Sequence, residues 1–287
     1  MILVTGVNGQ LGYDVIRELK KRNIECLGIG RKELDITNKD DVKRYIENLN
    51  PECVIHCAAY TAVDKAEDEK AICYKVNVEG TENIAKACKR IDAKMIYIST
   101  DYVFDGEGNT PFEIDNKKIP RSVYGNTKYE GELKVQELLS KYFIVRISWV
   151  FGSNGNNFVK TMIRLGKEKD SINVVRDQIG SPTYTVDLAK LLCNMALSDK
   201  YGVYHATNEG FCSWAEFAEE IMNKAHTKCK VNHILTSEYP YKAVRPLNSR
   251  MSKKSLLENG FELLPQWKDA LDRYLEEINQ CLLKIKF

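Results

Sequence analysis

The sequence predicts an α/β protein built on a doubly wound parallel sheet, with a smaller C-terminal lobe packed against it. Three observations carry this. Strand-like and helix-like segments alternate through the first half of the chain, the order that puts helices on both faces of a parallel sheet. The first strand-like run ends in a glycine-spaced turn that opens the first helix. The third strand-like run, "PECVIHCAA", is apolar throughout, as a strand covered on both faces must be.

The elements follow in order. "MILVTG" is a short apolar strand ending in glycine, and "LGYDVIRELKKR" carries Leu11, Val15, Ile16 and Leu19 as a helical stripe. "ECLGIG" is a second strand. "NKDDVKRYIENLN" reads as a helix with Asn38 as its N-cap. After the third strand, one long helix is expected from about Glu67 to Arg90, with Val76, Ala85 and Ala87 turned inward. "AKMIYIST" is a fourth strand, the segment from Tyr124 to Leu139 a helix, and "YFIVRIS" a fifth strand. Beyond Trp149 the rhythm loosens into helix "NNFVKTMIRLGKE", strand "SINVV" and helix "TVDLAKLLCNMALS", which Thr185 would cap. A returning strand "YGVYHAT", a helix capped by Ser213 and a closing helix near "QWKDALDRYLEEINQCLLKI" complete the chain. No linker, repeat or low-complexity tract separates the halves, so the second half should pack directly on the first.

Composition narrows the class. The 287 residues are 44% hydrophobic and 29% charged, with a net charge of +2 and acids and bases interspersed. No clustered basic surface points to nucleic acid. No apolar run approaches the length of a membrane span, and "MILVTGVNGQ" has no basic leader. A cytoplasmic protein is expected. The nine cysteines are odd in number and irregularly spaced, which fits reduced, mostly buried thiols. In "CVIHC", Cys53 and Cys57 share one strand face and His56 takes the other, a poor zinc set. His205, His226 and His233 show no spacing for a metal or a nucleophile's partner, so no metal site is assigned.

The turn "VTGVNGQLG" places Gly6, Gly9 and Gly12 between the first strand and first helix. Gly6 permits a tight turn, Gly9 lets backbone approach a pyrophosphate, and Gly12 lets the helix pack close to the sheet. The helix N-terminus offers free N–H groups to phosphates. The fold is therefore read as Rossmann-type, with residues 1–149 the NAD(P)-binding domain, rejoined by parts of 171–209, and 150–287 mainly a substrate-binding lobe. At the end of the second strand, where an acid suits NAD and a base suits the NADP 2′-phosphate, the chain carries Arg31 followed by Lys32. That favours NADPH, with NADH the alternative. Asp35 is a candidate for the adenine edge.

Tyr124 and Lys128 stand four residues apart on a helix and so share a face. A lysine beside a phenol favours the phenolate, which would make Tyr124 a proton donor or acceptor near neutral pH. Trp149 ends the fifth strand, where open α/β sheets bind ligands. Arg245 and Arg250 in "VRPLNSR" suit diphosphate oxygens, Arg245 being preferred. Gln178 and Thr183 in "DQIGSPTY" either shape the pocket or form a turn around Pro182.

Taken together, "GQLG", "AAYTAVDKAE", "STDYVFDG", "VYGNTKYEGE", "SWVFG" with "NNFVKTM", "DQIGSPTY" and "RPLNSRMS" resemble the extended short-chain dehydrogenase/reductases. Within them, the resemblance is closest to the dTDP-4-dehydrorhamnose reductase family. It runs from residue 6 to about 252, nearly the whole chain. It implies Gly9, Gln10 and Leu11 at the cofactor pyrophosphate and Asp35 and Ile36 at the adenine. It also implies Ala59, Tyr60 and Thr61 beside the cofactor's ribose and diphosphate. Thr100, Tyr124 and Lys128 would form a catalytic triad, and Asp101 and Trp149 would contact a sugar nucleotide. The implied reaction is reduction of a C4 keto-sugar nucleotide. Tyr124 would give a proton to the carbonyl oxygen, Lys128 would lower the phenol's pKa and hold ribose hydroxyls, and Thr100 would donate to the same oxygen. Ser99 points to the opposite strand face.

Related dehydratases carry Asp-Glu after the threonine, whereas this chain has Asp101 and Tyr102, so plain reduction is the better reading. A regulatory subunit resembling the β subunit of methionine adenosyltransferase, or an NDP-sugar epimerase, are the alternatives. The resemblance also allows Mg2+, with no ligands assignable, and a homodimer.

Overall fold

The computed structural model describes residues 1–284, with side-chain surroundings up to residue 280. In chain order the elements are β1 (Ile2–Thr5), α1 (Gln10–Lys21), β2 (Cys26–Ile29), α2 (Lys39–Leu49), β3 (Cys53–His56), α3 (Val63–Ala66), α4 (Lys70–Tyr74), α5 (Thr81–Arg90), β4 (Lys94–Thr100), α6 (Val123–Leu138) and β5 (Tyr142–Ile147). There follow β6 (Val150–Phe151), α7 (Phe158–Glu168), β7 (Ser171–Val175), β8 (Ile179–Gly180), β9 (Thr183–Tyr184), α8 (Thr185–Ala196) and β10 (Gly202–His205). The chain closes with β11 (Asn208–Glu209), β12 (Cys212–Ser213), α9 (Trp214–Lys224), β13 (Lys230–Ile234), α10 (Lys254–Glu258), β14 (Leu264–Gln266) and α11 (Trp267–Lys284).

Six strands form one parallel sheet in the order β10-β5-β4-β3-β1-β2. Strand order reverses between β1 and β3, and ligands of open α/β sheets bind in the crevice at such a point. Both faces of the sheet are covered, which is why β1 and β3 are buried at every residue. On one face Val4, Ile55 and Val145 pack with Val15 of α1 and Leu188 and Leu192 of α8. On the other, Leu3, Val54 and Ile144 pack with Ile46 of α2 and Ile84 and Ala87 of α5. A separate apolar cluster, with Phe151, Met162, Phe217 and Trp267, forms the core of a second body built around α7, α9 and α11. There β7 pairs in parallel with β13.

Two helix starts follow local chemistry. The Asn38 side chain accepts from Asp41 N–H, and Ser213 with Glu216 forms a reciprocal capping box. Two expectations need correction. The single helix from Glu67 to Arg90 is instead α4, a π-helical turn over Lys75–Gly80, and α5. The wider turn swings Asn77 toward Tyr60, whose N–H it accepts at 2.8 Å and whose C=O it donates to at 3.1 Å. Glu67, expected to begin the helix, instead accepts from Val123 N–H at the start of α6. Val76 is only partly buried, while Ala85 and Ala87 are fully inside. Nor does Thr185 cap α8: the N-cap is Tyr184 without a side-chain bond. The Thr185 hydroxyl is drawn to buried Asp14 of the neighbouring helix α1.

Candidate active site

One cleft of about 1250 Å3 opens along the C-terminal ends of the sheet strands. Its lining begins at the glycine turn. Gly9 is the N-cap of α1, with no side-chain cap and no acidic residue in the first helical turn, so the first N–H groups face the cleft uncompensated. A Cβ on Gly12 would stand 2.4 Å from Gly6 O, so only glycine lets α1 sit this close to β1. Gly6 takes a positive φ of 73° against the backbone of Ala58. Such a bare amide cradle fits a dinucleotide's pyrophosphate.

All the candidate site residues except Thr183 and Arg250 border this cleft. At the end nearest the glycine turn lie Gly6, Gly9, Gln10, Leu11, Gly12, Arg31, Asp35, Ile36, Ala59, Tyr60 and Thr61. At the far end lie Thr100, Asp101, Tyr124, Lys128, Trp149 and Arg245. Local structure explains several of these positions. Asp35 accepts from Thr37 N–H at 3.0 Å and from its hydroxyl at 2.8 Å, which with the Arg31 charge holds its carboxyl below the usual range. The exposed Arg31 follows Gly30, whose N–H is held by Glu33 at 2.8 Å. The Gln10 side chain reaches across to the second body, where its oxygen accepts from Gly152 N–H at 2.9 Å and Asn157 Nδ2 at 3.0 Å. Gln178 borders the cleft and donates to Thr236. Thr183 is fully buried, donates to Ser148 O, and does not border the cleft.

Strand alternation separates the two hydroxyls at the end of β4. Ser99 donates to Glu132 at 2.5 Å on the face of α6. Thr100 faces the cleft and Tyr124. Tyr124 and Lys128 occupy one face of α6, and Lys128 is 2% exposed. Their electrostatics differ from the sequence expectation. Burial pushes the Tyr124 phenol above its usual range, and the largest opposing influence is the Thr100 hydroxyl. Burial also pulls Lys128 down to about 7, opposed chiefly by the Glu132 carboxylate one helical turn away. The ammonium sits 4.0 Å from the centre of the Tyr97 ring. Burial dominates at both groups, and Lys128 is not among the main influences on the phenol, so the phenol is not depressed here.

Trp149 adopts a left-handed φ of 51° and stacks on Trp214 with ring centres 3.8 Å apart. Strain at an aromatic residue in a cleft is characteristic of ligand sites. Arg245 donates to the Tyr102 hydroxyl at 3.0 Å and to the Asp64 carboxylate. Arg250 does not border the cleft, and donates to Asn248. Sequence reading did not single out Tyr102 as a site residue, and it missed Ser249, Asn77 and Trp214. Tyr102 directly follows "STD", a usable signal; Trp214 joins Trp149 from 65 positions away, which no local pattern reveals. His56 and His205 are buried and bonded to Thr5 and Ser252 respectively, and His233 is paired with Glu219 on the surface. Among the described residues no group of three or more His, Cys, Asp or Glu is arranged to hold a metal ion. The Mg2+ allowed by resemblance gains no support from the described residues.

Comparison with known proteins adds to this geometry. The family model described as "RmlD substrate binding domain" matches residues 1–280. The chain is 41% identical to the dTDP-4-dehydrorhamnose reductase of Aggregatibacter actinomycetemcomitans, over 94% of this chain and 96% of that protein. It is 39% identical to the spore coat polysaccharide biosynthesis protein SpsK of Bacillus subtilis, over 96% and 97%. Among solved structures, the dTDP-4-dehydrorhamnose reductase of Bacillus anthracis, in complex with NADP, superposes with a TM-score of 0.94 at 44% identity, covering 96% of this chain and 98% of that one.

Proposed function

The chain belongs to the RmlD substrate-binding family, and on that premise we propose that it reduces the C4 ketone of dTDP-4-dehydro-L-rhamnose to dTDP-L-rhamnose, with NADPH as hydride donor. The observation that carries the reading is one cleft in which a bare glycine turn and the Thr100, Tyr124 and Lys128 set lie together. The bound nicotinamide supplies hydride to the carbonyl carbon.

The chain's own residues do the rest. The N–H groups of the Gly9–Gly12 turn hold the pyrophosphate. Arg31 meets the 2′-phosphate, and Asp35 and Ile36 border the adenine. Tyr60, fixed by Asn77, walls the diphosphate side. Tyr124 gives its proton to the carbonyl oxygen as negative charge grows there. A phenol kept protonated by burial is the correct acid for a reduction. Lys128, close to half-charged near neutrality, holds ribose hydroxyls and favours the phenolate once the proton has left. Thr100 donates to the same oxygen. Trp149 packs against the sugar nucleotide, and Arg245 exchanges Asp64 for a diphosphate oxygen.

A cytoplasmic location belongs to this reading. The eight cysteines among the described residues are free, and no described helix is long and apolar enough to cross a membrane.

The test is NADPH oxidation followed by absorbance with dTDP-4-dehydrorhamnose. Stoichiometric oxidation with formation of dTDP-rhamnose is expected. Binding of NADPH without turnover would favour the regulatory-subunit alternative, and isomerised sugar with no net NADPH consumed would favour an epimerase.

A further inference from the structure

The Thr100 hydroxyl has a single proton, and in this structure it is committed to Asp101, with Oγ1 donating to Oδ1 at 2.9 Å. The Tyr102 N–H occupies a lone pair of the same oxygen at 3.3 Å. A hydroxyl whose only proton points at a carboxylate cannot also donate to a substrate oxygen. Donation from Thr100 therefore requires its bond to Asp101 to run the other way.

Asp101 is built for that reversal. Its side chain is buried, at 3% exposure, at the end of β4. Its other oxygen, Oδ2, accepts from Ser249 Oγ at 2.5 Å. Nothing in this shell is a cation: the partners are two hydroxyls and backbone N–H groups. The titratable groups around it are Tyr102 on its own segment and Tyr124 of α6, whose rings meet edge to face at 5.5 Å. The guanidinium of Arg245, in the loop between β13 and α10, is engaged with Tyr102 and Asp64. Lys128 lies one turn further along α6, over Tyr97. With no counter-charge, burial raises the carboxyl to about 6, against the pull of Ser249 and Thr100.

We propose that Asp101 works as a neutral carboxylic acid that donates to Thr100 Oγ1 and so turns the Thr100 proton toward the substrate carbonyl oxygen. The inference rests on the reductase reading and deepens it by giving Asp101 a positioning role. No net proton leaves Asp101 during turnover; the transferred proton is that of Tyr124. Ionised Asp101 reclaims the Thr100 proton, and the growing oxyanion loses one donor. A missing donor of this kind costs about 10²–10³-fold in kcat.

The experiment has two arms. Infrared difference spectra of the intact chain against Asp101→Asn should show a protonated-carboxyl band that titrates away with a midpoint near 6. Absence of such a band below that pH overturns the proposal without reference to activity. In the second arm, kcat is measured against pH with NADPH and dTDP-4-dehydrorhamnose. The wild type should lose activity on an alkaline limb. Asp101→Asn, whose amide always can donate, should be reduced no more than about 10-fold and lose the fall near 6, keeping only the one that Lys128 sets near 7, whereas Asp101→Ala should fall about 100-fold. Ser249→Ala should move the limb to higher pH, because it removes a donor that favours the carboxylate. An unchanged limb in Asp101→Asn, or equal losses in the Asn and Ala variants, overturns the proposal while leaving the reductase reading intact. No turnover by the wild type removes the reading itself, and the proposal with it.

Discussion

The Glu132 carboxylate receives two nitrogens of Arg146, Nε at 2.9 Å and Nη2 at 2.7 Å, beneath the floor of the cleft. The side chains are 1% and 2% exposed. Ser99 donates to the same carboxylate, and Arg146 also donates to Ile114 O at 3.0 Å. The pair thus ties the helix that carries Tyr124 and Lys128 to β4, which ends in Thr100, and to β5.

Removing one partner leaves the other charge buried and uncompensated. Glu132→Gln should lower stability by about 3–5 kcal/mol in urea unfolding. The double variant Glu132→Leu/Arg146→Met should recover most of that loss, because buried pairs often exchange for apolar residues at little cost. It should still shift the pH–activity profile, since Glu132 opposes the depression of Lys128. A double variant with wild-type stability and an unmoved profile would show that the pair acts on packing alone.

Tyr124→Phe should cut kcat by about 10²–10⁴-fold, the usual weight of a positioned general acid. NADPH affinity, measured by fluorescence titration, should change little. Retained activity would remove the phenol as proton donor.

Arg31 borders the cleft beside Asp35 and is exposed, with no described ion pair holding it. Arg31→Ala should weaken NADPH by roughly 10–100-fold, the weight of about 1.5–3 kcal/mol for a charge-assisted contact. NADH should be nearly unaffected. Equal losses for both coenzymes would place Arg31 elsewhere than at the 2′-phosphate.

Burial holds His56 and His205 neutral, each pushed down to about 3. Unfolded, each takes a proton near pH ~6.5. Between those values the unfolded chain binds more protons, so stability is lost as pH falls from about 6.5 toward 3. Asp101 works in the opposite sense over a narrower window, since its raised carboxyl binds a proton in the folded chain first. Asp14, also raised by burial, adds to Asp101; the histidines open their window at higher pH, so Tm should drop between about pH 6.5 and 4.5, and His205→Gln should flatten the slope. A Tm independent of pH over that range would contradict the neutral burial of these rings.

The legible features were those written in local pattern. The glycine turn, the apolar strands, the Asn38 and Ser213 caps and the Tyr124–Lys128 spacing each depend on residues within a few positions. The break between Glu67 and Thr81 was not legible, because its cause is Tyr60 claiming both polar groups of Asn77 and Val123 claiming Glu67. Thr185 reads as a cap until Asp14 arrives from 171 positions away.

By itself, then, the sequence determined which groups could do chemistry and the order of elements that gathers them along one edge of a sheet. Hydrophobic period and backbone steric rules act over short spans of chain, and a sequence displays them directly. The tertiary structure decided the state of those groups: a phenol raised rather than lowered, a lysine near neutrality, an aspartate without a cation. Those outcomes depend on how much water is excluded and which distant partner stands within 3 Å or so, the range over which a hydrogen bond acts, and neither is set before the chain has closed around the cleft.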